Sequence, residues 1–367
     1  MSILDTGVKN VRNVLRYTVG EGALTGVPQL LAAPRSEGSG SVIFFIDKFF
    51  EGQSNTINKL GILSCDEVVF VSTEQEPTTD AIDKITDQLR RIGQEQPSAI
   101  VGMGGGATMD VAKAVANLLT NDGKAEEYQG WDLVRVPGIY KVAVPTLSGT
   151  GAEATRTCVM TNKRTGLKLG MNSDYTVYDQ IVMDPSLTAT VPRNQYFYTG
   201  MDAYIHCVEA LAGSYRNAIG DAFSRETINL CRQVFLEGDM MSAVNRERLM
   251  VASYLGGCAI ATSYVGLVHP FSAGLSVVLG LHHCVANCIV MRAMQPYYPK
   301  EYDEFWSMVE KQKIDIPEGV ARSLSDVQYE QLFESTVIHQ KPLTNALGDS
   351  YREILTKEKV LEIFKSM

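Results

Sequence analysis

Five short apolar runs constrain the fold of this chain more than any other feature. They occupy residues 42–46, 68–71, 98–103, 141–144 and 180–183. A strand with one face in water alternates apolar and polar residues. An unbroken run needs cover on both faces, which is the pattern of a parallel sheet sandwiched between helices. A covering helix is visible at 81–92, where Ile82, Ile85 and Leu89 recur at helical spacing. Beyond residue 186 the runs stop. Helical patterns replace them at 198–212, 221–236, 246–265, 275–291, 302–311 and 357–367. The expected architecture is an α/β domain over 1–185 followed by an all-helical domain over 186–367.

The ends of the runs carry small residues. The third run passes into Gly104-Gly105-Gly106-Ala107-Thr108-Met109-Asp110 and then a helical pattern. Glycines let a backbone approach a diphosphate closely, and a helix N-terminus supplies N–H donors and the positive end of the dipole. A tight, closely packed turn accounts for the same glycines equally well, and the spacing is not G-x-G-x-x-G. The fourth run ends in Pro145-Thr146-Leu147-Ser148-Gly149-Thr150-Gly151. Ligands of open α/β sheets bind at the carboxyl ends of strands, so two such loops together point to a Rossmann-like nucleotide site.

Four of the five histidines fall between residues 200 and 287. Asp202 and His206 are four apart in a helical pattern, on one face. His269, His282 and His283 follow among apolar and small residues. One carboxylate with two or three imidazoles suits a divalent first-row metal, iron or zinc above all. Isolated, such a pair is as readily a surface hydrogen bond. Clustering favours the metal, because a buried imidazole needs a partner.

Composition narrows the rest. A net charge of −9 without a basic cluster argues against nucleic-acid and membrane-surface binding. Seven scattered cysteines without a C-x-x-C pair read as reduced thiols of a cytoplasmic protein. Cys284 and Cys288 beside His283 are weaker candidates for thiolate ligands. Met1–Asp5 lacks the start of a signal peptide, and no apolar run is long enough to span a membrane.

The chain resembles the iron-containing (group III) alcohol dehydrogenases, which share a fold with dehydroquinate synthase. The likeness runs in order through GGGATMD at 104–110, PTLSGTGAE at 145–153, MDPSL at 183–187, GMDAYIH at 200–206, GLVH at 266–269 and HHCVAN at 282–287. It implies that Asp202, His206, His269 and His283 ligate the metal, Zn or Fe. It implies that Gly104, Gly105 and Gly106 hold a diphosphate, and that Thr146, Thr150 and Lys168 contact the cofactor. Asp47 would meet the adenosine ribose, where a carboxylate favours NAD over NADP. Departures from the family pattern are Ala273 for a second histidine, Pro270 for a glycine, His282 for a proline and Glu76 for an asparagine. His282 thereby becomes the candidate for proton relay or substrate contact. Segments 128–133, 172–177 and 204–209 are similar to a narrower branch, the 3-deoxy-manno-octulosonate 8-oxidases.

The resulting expectation is a metal-dependent oxidoreductase of a primary alcohol on a sugar or sugar acid, linked to lipopolysaccharide sugars. Cofactor and metal would face each other across an interdomain cleft, and the hydride would pass to NAD or another acceptor. The assembly would be a homodimer or larger. Arg156, Arg164 and Arg193 are candidate partners for a substrate carboxylate. Competing readings are a generic NAD-dependent alcohol or polyol dehydrogenase, a dehydroquinate synthase-like lyase, and a non-catalytic binding protein.

Overall fold

The computed structural model describes residues 11–367, so Met1–Asp5 lies outside the described residues. Its chain divides into two compact units. One holds Arg12–Leu147 and Ala152–Thr190; the other holds Ser148–Gly151 and Val191–Met367.

The first unit contains β1 (Arg16–Val19), β2 (Val42–Asp47), β3 (Glu67–Val71), β4 (Ala99–Gly104), β5 (Gly130–Trp131), β6 (Lys141–Pro145), β7 (Thr157–Asn162), β8 (Leu167–Asn172) and β9 (Gln180–Met183). Its helices are α1 (Val27–Glu37), α2 (Ser54–Ile57), α3 (Thr79–Arg91) and α4 (Gly106–Leu118). Six strands form one parallel sheet in the order β1-β9-β6-β4-β2-β3. The unbroken run in β2 has the cause inferred for it. Val42, Phe44 and Ile46 enter one core cluster while Ile43 and Phe45 enter another, so each face of the strand has its own cover. Full burial of each such side chain contributes about 1.5–3 kcal/mol. From β2 the chain moves outward to β3 and returns to β4 on the other side of β2. That reversal opens a crevice at the carboxyl ends of β2 and β4, where open α/β sheets bind ligands.

A second, three-stranded sheet, β5-β8-β7, escapes the sequence pattern. β7 and β8 form an antiparallel hairpin, and β7 alternates half-buried with buried residues under polar side chains such as Thr157, Thr161 and Asn162. Backbone pairing rather than a hydrophobic run defines it.

The second unit is helical: α5 (Arg193–Ala212), α6 (Ala218–Leu236), α7 (Ala243–Ser263), α8 (Val268–Leu279), α9 (His283–Val290), α10 (Pro299–Gln312), α11 (Asp326–Val337), α12 (Gln340–Leu347), α13 (Tyr351–Ile354) and α14 (Lys357–Lys365). The helix anticipated over 275–291 is two helices. Gly280 ends α8 in the left-handed region at φ 69°, a conformation only glycine adopts without strain, and α9 starts afresh at His283. Helices α11 and α12 were not anticipated. Among the described residues no single helix is long and apolar enough to cross a membrane.

Ser148–Gly151 belongs to this second unit because glycine lets it touch helix backbone. A Cβ on Gly149 would lie 1.5 Å from the carbonyl oxygen of Thr199 in α5. One on Gly151 would lie 2.6 Å from Cα of Gly257 in α7.

Candidate functional site

Helix α5 is buried on every side from Thr199 to Ala210, so its polar residues must find partners inside the protein. Asp202, His206 and Glu209 project from one stripe of it, four and then three residues apart. Asp202 is 0% exposed and Glu209 1% exposed. The left-handed stop at Gly280 redirects the chain, and α9 then presents His283 to Asp202. Helix α8 contributes His269 from its first turn.

The geometry converges on Asp202. Its Oδ1 lies 3.4 Å from Nε2 of His206 and 3.3 Å from Nε2 of His269; its Oδ2 lies 3.7 Å from Nε2 of His283. Donor atoms of Asp202, His269 and His283 all fall within 4.8 Å of one another. His206 stands outside that trio but stacks on His269, ring centroids 4.7 Å apart. Its Nδ1 is buried without a hydrogen-bond partner. Asn287, one turn beyond His283, donates to Asp202 Oδ1 at 2.6 Å, and the Cys284 thiol donates to Oδ2 at 3.7 Å. Glu209 accepts from the backbone N–H of Val268 and pairs with Nδ1 of His269.

Electrostatics favour a cation here. Two fully buried carboxylates face three imidazoles, and buried carboxylates persist only when positive charge or hydrogen bonds compensate them. Burial alone would raise Asp202; His206, His283 and His269 outweigh it and hold the carboxyl below the usual range. Burial pushes His206 down to about 4, which leaves it neutral with a lone pair to offer. Burial opposes protonation of His269 too, but Glu209 and Asp202 prevail and carry it up to about 10, so a cation bound at its Nε2 would have to displace a proton. A divalent cation fits this donor set and its charge.

The residues read as a nucleotide cradle lie in the first unit, apart from Thr150. Ile46 pairs with Met103, so Asp47 and Gly104 stand side by side at the ends of β2 and β4. A Cβ on Gly104 would lie 2.6 Å from the Thr108 side chain, and one on Gly105 2.7 Å from Leu147 Cδ1. Helix α4 begins at Gly106 without a side-chain cap, so its first amides point outward from the turn. Thr146 donates its N–H to Gly104 at 2.9 Å and ties the two loops together. Burial raises Asp47, with the Phe49 amide and the hydroxyls of Thr73 and Thr108 offsetting part of the rise. Lys168 on β8 is buried and pairs with Glu76 at 3.2 Å. The N–H of Thr161 on β7 reaches Pro77 at 2.8 Å, which fixes Glu76 beside the hairpin.

Other candidates are placed differently. Thr150 goes with the helical unit. His282 is exposed at the N-terminus of α9, and no hydrogen bond joins it to the cluster. The three arginines are committed elsewhere: Arg156 to Asp132 and Asp174, Arg164 to Glu126, and Arg193 to Gln312 and Asp239. Glu209 and Asn287 escaped the reading of sequence as site residues. Their signal was periodicity, since each lies three or four residues from a candidate ligand on the same helix.

Both parts of the chain match one family of known proteins. Residues 15–185 match the family described as iron-containing alcohol dehydrogenase, and residues 196–331 match the C-terminal part of the Fe-containing alcohol dehydrogenase family. Sulfoacetaldehyde reductase of Bilophila wadsworthia is 32% identical over 222 residues, 59% of this chain and 56% of that protein. The 1,3-propanediol dehydrogenase of Citrobacter freundii is 31% identical over 246 residues, 66% of this chain and 62% of that protein. The chain thus spans little more than half the length of these curated relatives. In fold, the crystal structure of sulfoacetaldehyde reductase from Bifidobacterium kashiwanohense with NAD+ superposes with a TM-score of 0.77 at 20% identity, covering 97% of each chain. Two successive family matches and the two-part fold lead to one conclusion: the chain belongs to the iron-containing alcohol dehydrogenase family.

Proposed function

We propose that this protein is a metal-dependent oxidoreductase that interconverts a primary alcohol and an aldehyde, with NAD as hydride partner. The observation that carries the reading is the convergence of Asp202, His269 and His283 donor atoms within 4.8 Å, with His206 stacked on His269. These four residues would hold a divalent cation, iron or zinc, and such an ion would supply Lewis-acid polarisation of a substrate oxygen. Asn287 holds Asp202 in position, and the carboxylate stays ionised. His282, exposed next to His283, is the residue we assign to carry a proton to solvent. The Gly104–Gly106 turn and the open start of α4 would seat a diphosphate. Asp47 would accept a ribose 2′-hydroxyl and repel a 2′-phosphate.

For the substrate we infer a sugar acid, 3-deoxy-manno-octulosonate oxidised at its terminal C8 hydroxyl, in keeping with the motifs at 128–133, 172–177 and 204–209. The names of the relatives support a second reading, a dehydrogenase of small polyols and aldehydes. Elemental analysis and assays on both substrate sets, with and without NAD and with and without oxygen, separate them. Turnover of the sugar acid alone selects the first; turnover of small diols alone selects the second. Failure to retain any divalent metal refutes both.

A further inference from the structure

We propose that Glu209 is a positioning residue of this centre: it keeps a ring proton of His269 on Nδ1, so that Nε2, 3.3 Å from Asp202, is the nitrogen that gives up its proton to a cation. The inference rests on the reading that the cluster holds a divalent cation. A histidine can offer one nitrogen to a metal only while its proton sits on the other, and the hydrogen bond at that other nitrogen decides the matter. Glu209 supplies that bond through one carboxylate oxygen.

Its other oxygen accepts the N–H of Val268, the first residue of α8. Helix α8 has no side-chain cap of its own, and the first amides of a helix lack partners within it. A carboxylate from α5 therefore caps α8 and orients the histidine next to that amide. Both contacts fix the same short segment against α5, where Asp202 lies seven positions before Glu209. Space around Glu209 is closed: a Cβ on Gly266 would lie 3.2 Å from its side chain. The phenol of Tyr298 adds a contact to the N–H of Leu267 at 3.3 Å.

Glu209→Gln tests this at constant shape. A glutamine that still accepts from Val268 must present its NH2 to Nδ1. The ring proton then moves to Nε2 and blocks it. The readout is metal affinity of the chelator-stripped protein, titrated with Zn(II) against a chromophoric competitor, beside the thermal midpoint of the stripped protein. We expect affinity to fall about 10- to 100-fold, the range for partners of metal-bound histidine, with the midpoint nearly unchanged. In a His269→Ala background the same substitution should change affinity less than about twofold, because residues acting through one another are not additive. In the zinc-loaded wild type, imidazole 15N–1H spectra should place the His269 proton on Nδ1. Wild-type affinity in Glu209→Gln, an undiminished effect in the His269→Ala background, or a proton on Nε2 would each overturn the proposal. A wild-type protein that binds no divalent ion would instead defeat the metal reading itself. A proton on Nε2 in the wild-type spectrum would refute the proposal even if Glu209→Gln does not fold.

Discussion

Gly149→Ala perturbs the joint between the Ser148–Gly151 loop and the helix that carries Asp202. Two costs add. The native φ of +150° lies where side chains are strained, at about 1–3 kcal/mol. The new methyl would sit 1.5 Å from the Thr199 carbonyl oxygen, which is backbone and cannot rotate away. Forced overpacking of this kind costs about 1–3 kcal/mol. The sum, about 2–6 kcal/mol, is a large share of the roughly 5–15 kcal/mol that stabilises a folded protein. Gly93→Ala is the control: φ is +75° there, and a Cβ would meet nothing within 4 Å. It carries strain alone, about 1–2 kcal/mol. Urea unfolding of both variants measures the difference. Because Thr199 lies one turn before Asp202, Zn(II) affinity of folded Gly149→Ala should fall as well. Equal destabilisation of the two variants would refute the claim that backbone contact, rather than φ, reserves this position for glycine.

Asp202→Ala should lower Zn(II) affinity by more than about 100-fold, beyond the cost of losing a partner outside the ligand set; equilibrium titration with unchanged affinity would remove it from that set. Asp47→Gly should relax discrimination between NAD and NADP, read as the ratio of their dissociation constants; an unmoved ratio means the carboxylate does not face the ribose. Burial pulls Lys141 down to about 8, with Asp179 opposing. Between about pH 8 and its ordinary value of 10.5 the unfolded chain then binds more protons than the native one, so this residue's contribution to stability rises with pH. The stability of wild type relative to Lys141→Met should therefore be level below pH 8 and climb above it. A difference that is flat across that window, measured by urea unfolding, would count against the shift.

The parallel sheet was legible because burial on both faces leaves a mark that needs no knowledge of partners: Val42 to Ile46 must all be apolar. The hairpin of β7 and β8 was not, because its strands are specified by pairing across Lys163–Gly166, with Gly166 in the left-handed region, and carry mixed side chains. The stretch 275–291 looks continuous because its apolar spacing passes through Gly280 without a change of period. The conformation of that one residue decides that two helices form.

For the candidate site, chemistry of side chains was readable and geometry was not. His206, His269 and His283 stand out in sequence because histidine is scarce and clustered in this chain. Glu209 and Asn287 do not, since glutamate and asparagine are common and their roles appear only once α8 and α9 fold back on α5. Likewise the resemblance sets Lys168 against the cofactor, while the fold pairs it with Glu76, ninety-two positions earlier. Local order, the apolar runs, the glycine turns and the donor inventory follow from residue type and spacing, which act over a few bonds. Which donors share one ion, which carboxylate orients which ring and which glycine touches which backbone are decided by contacts between distant segments, and those exist only after the core has closed.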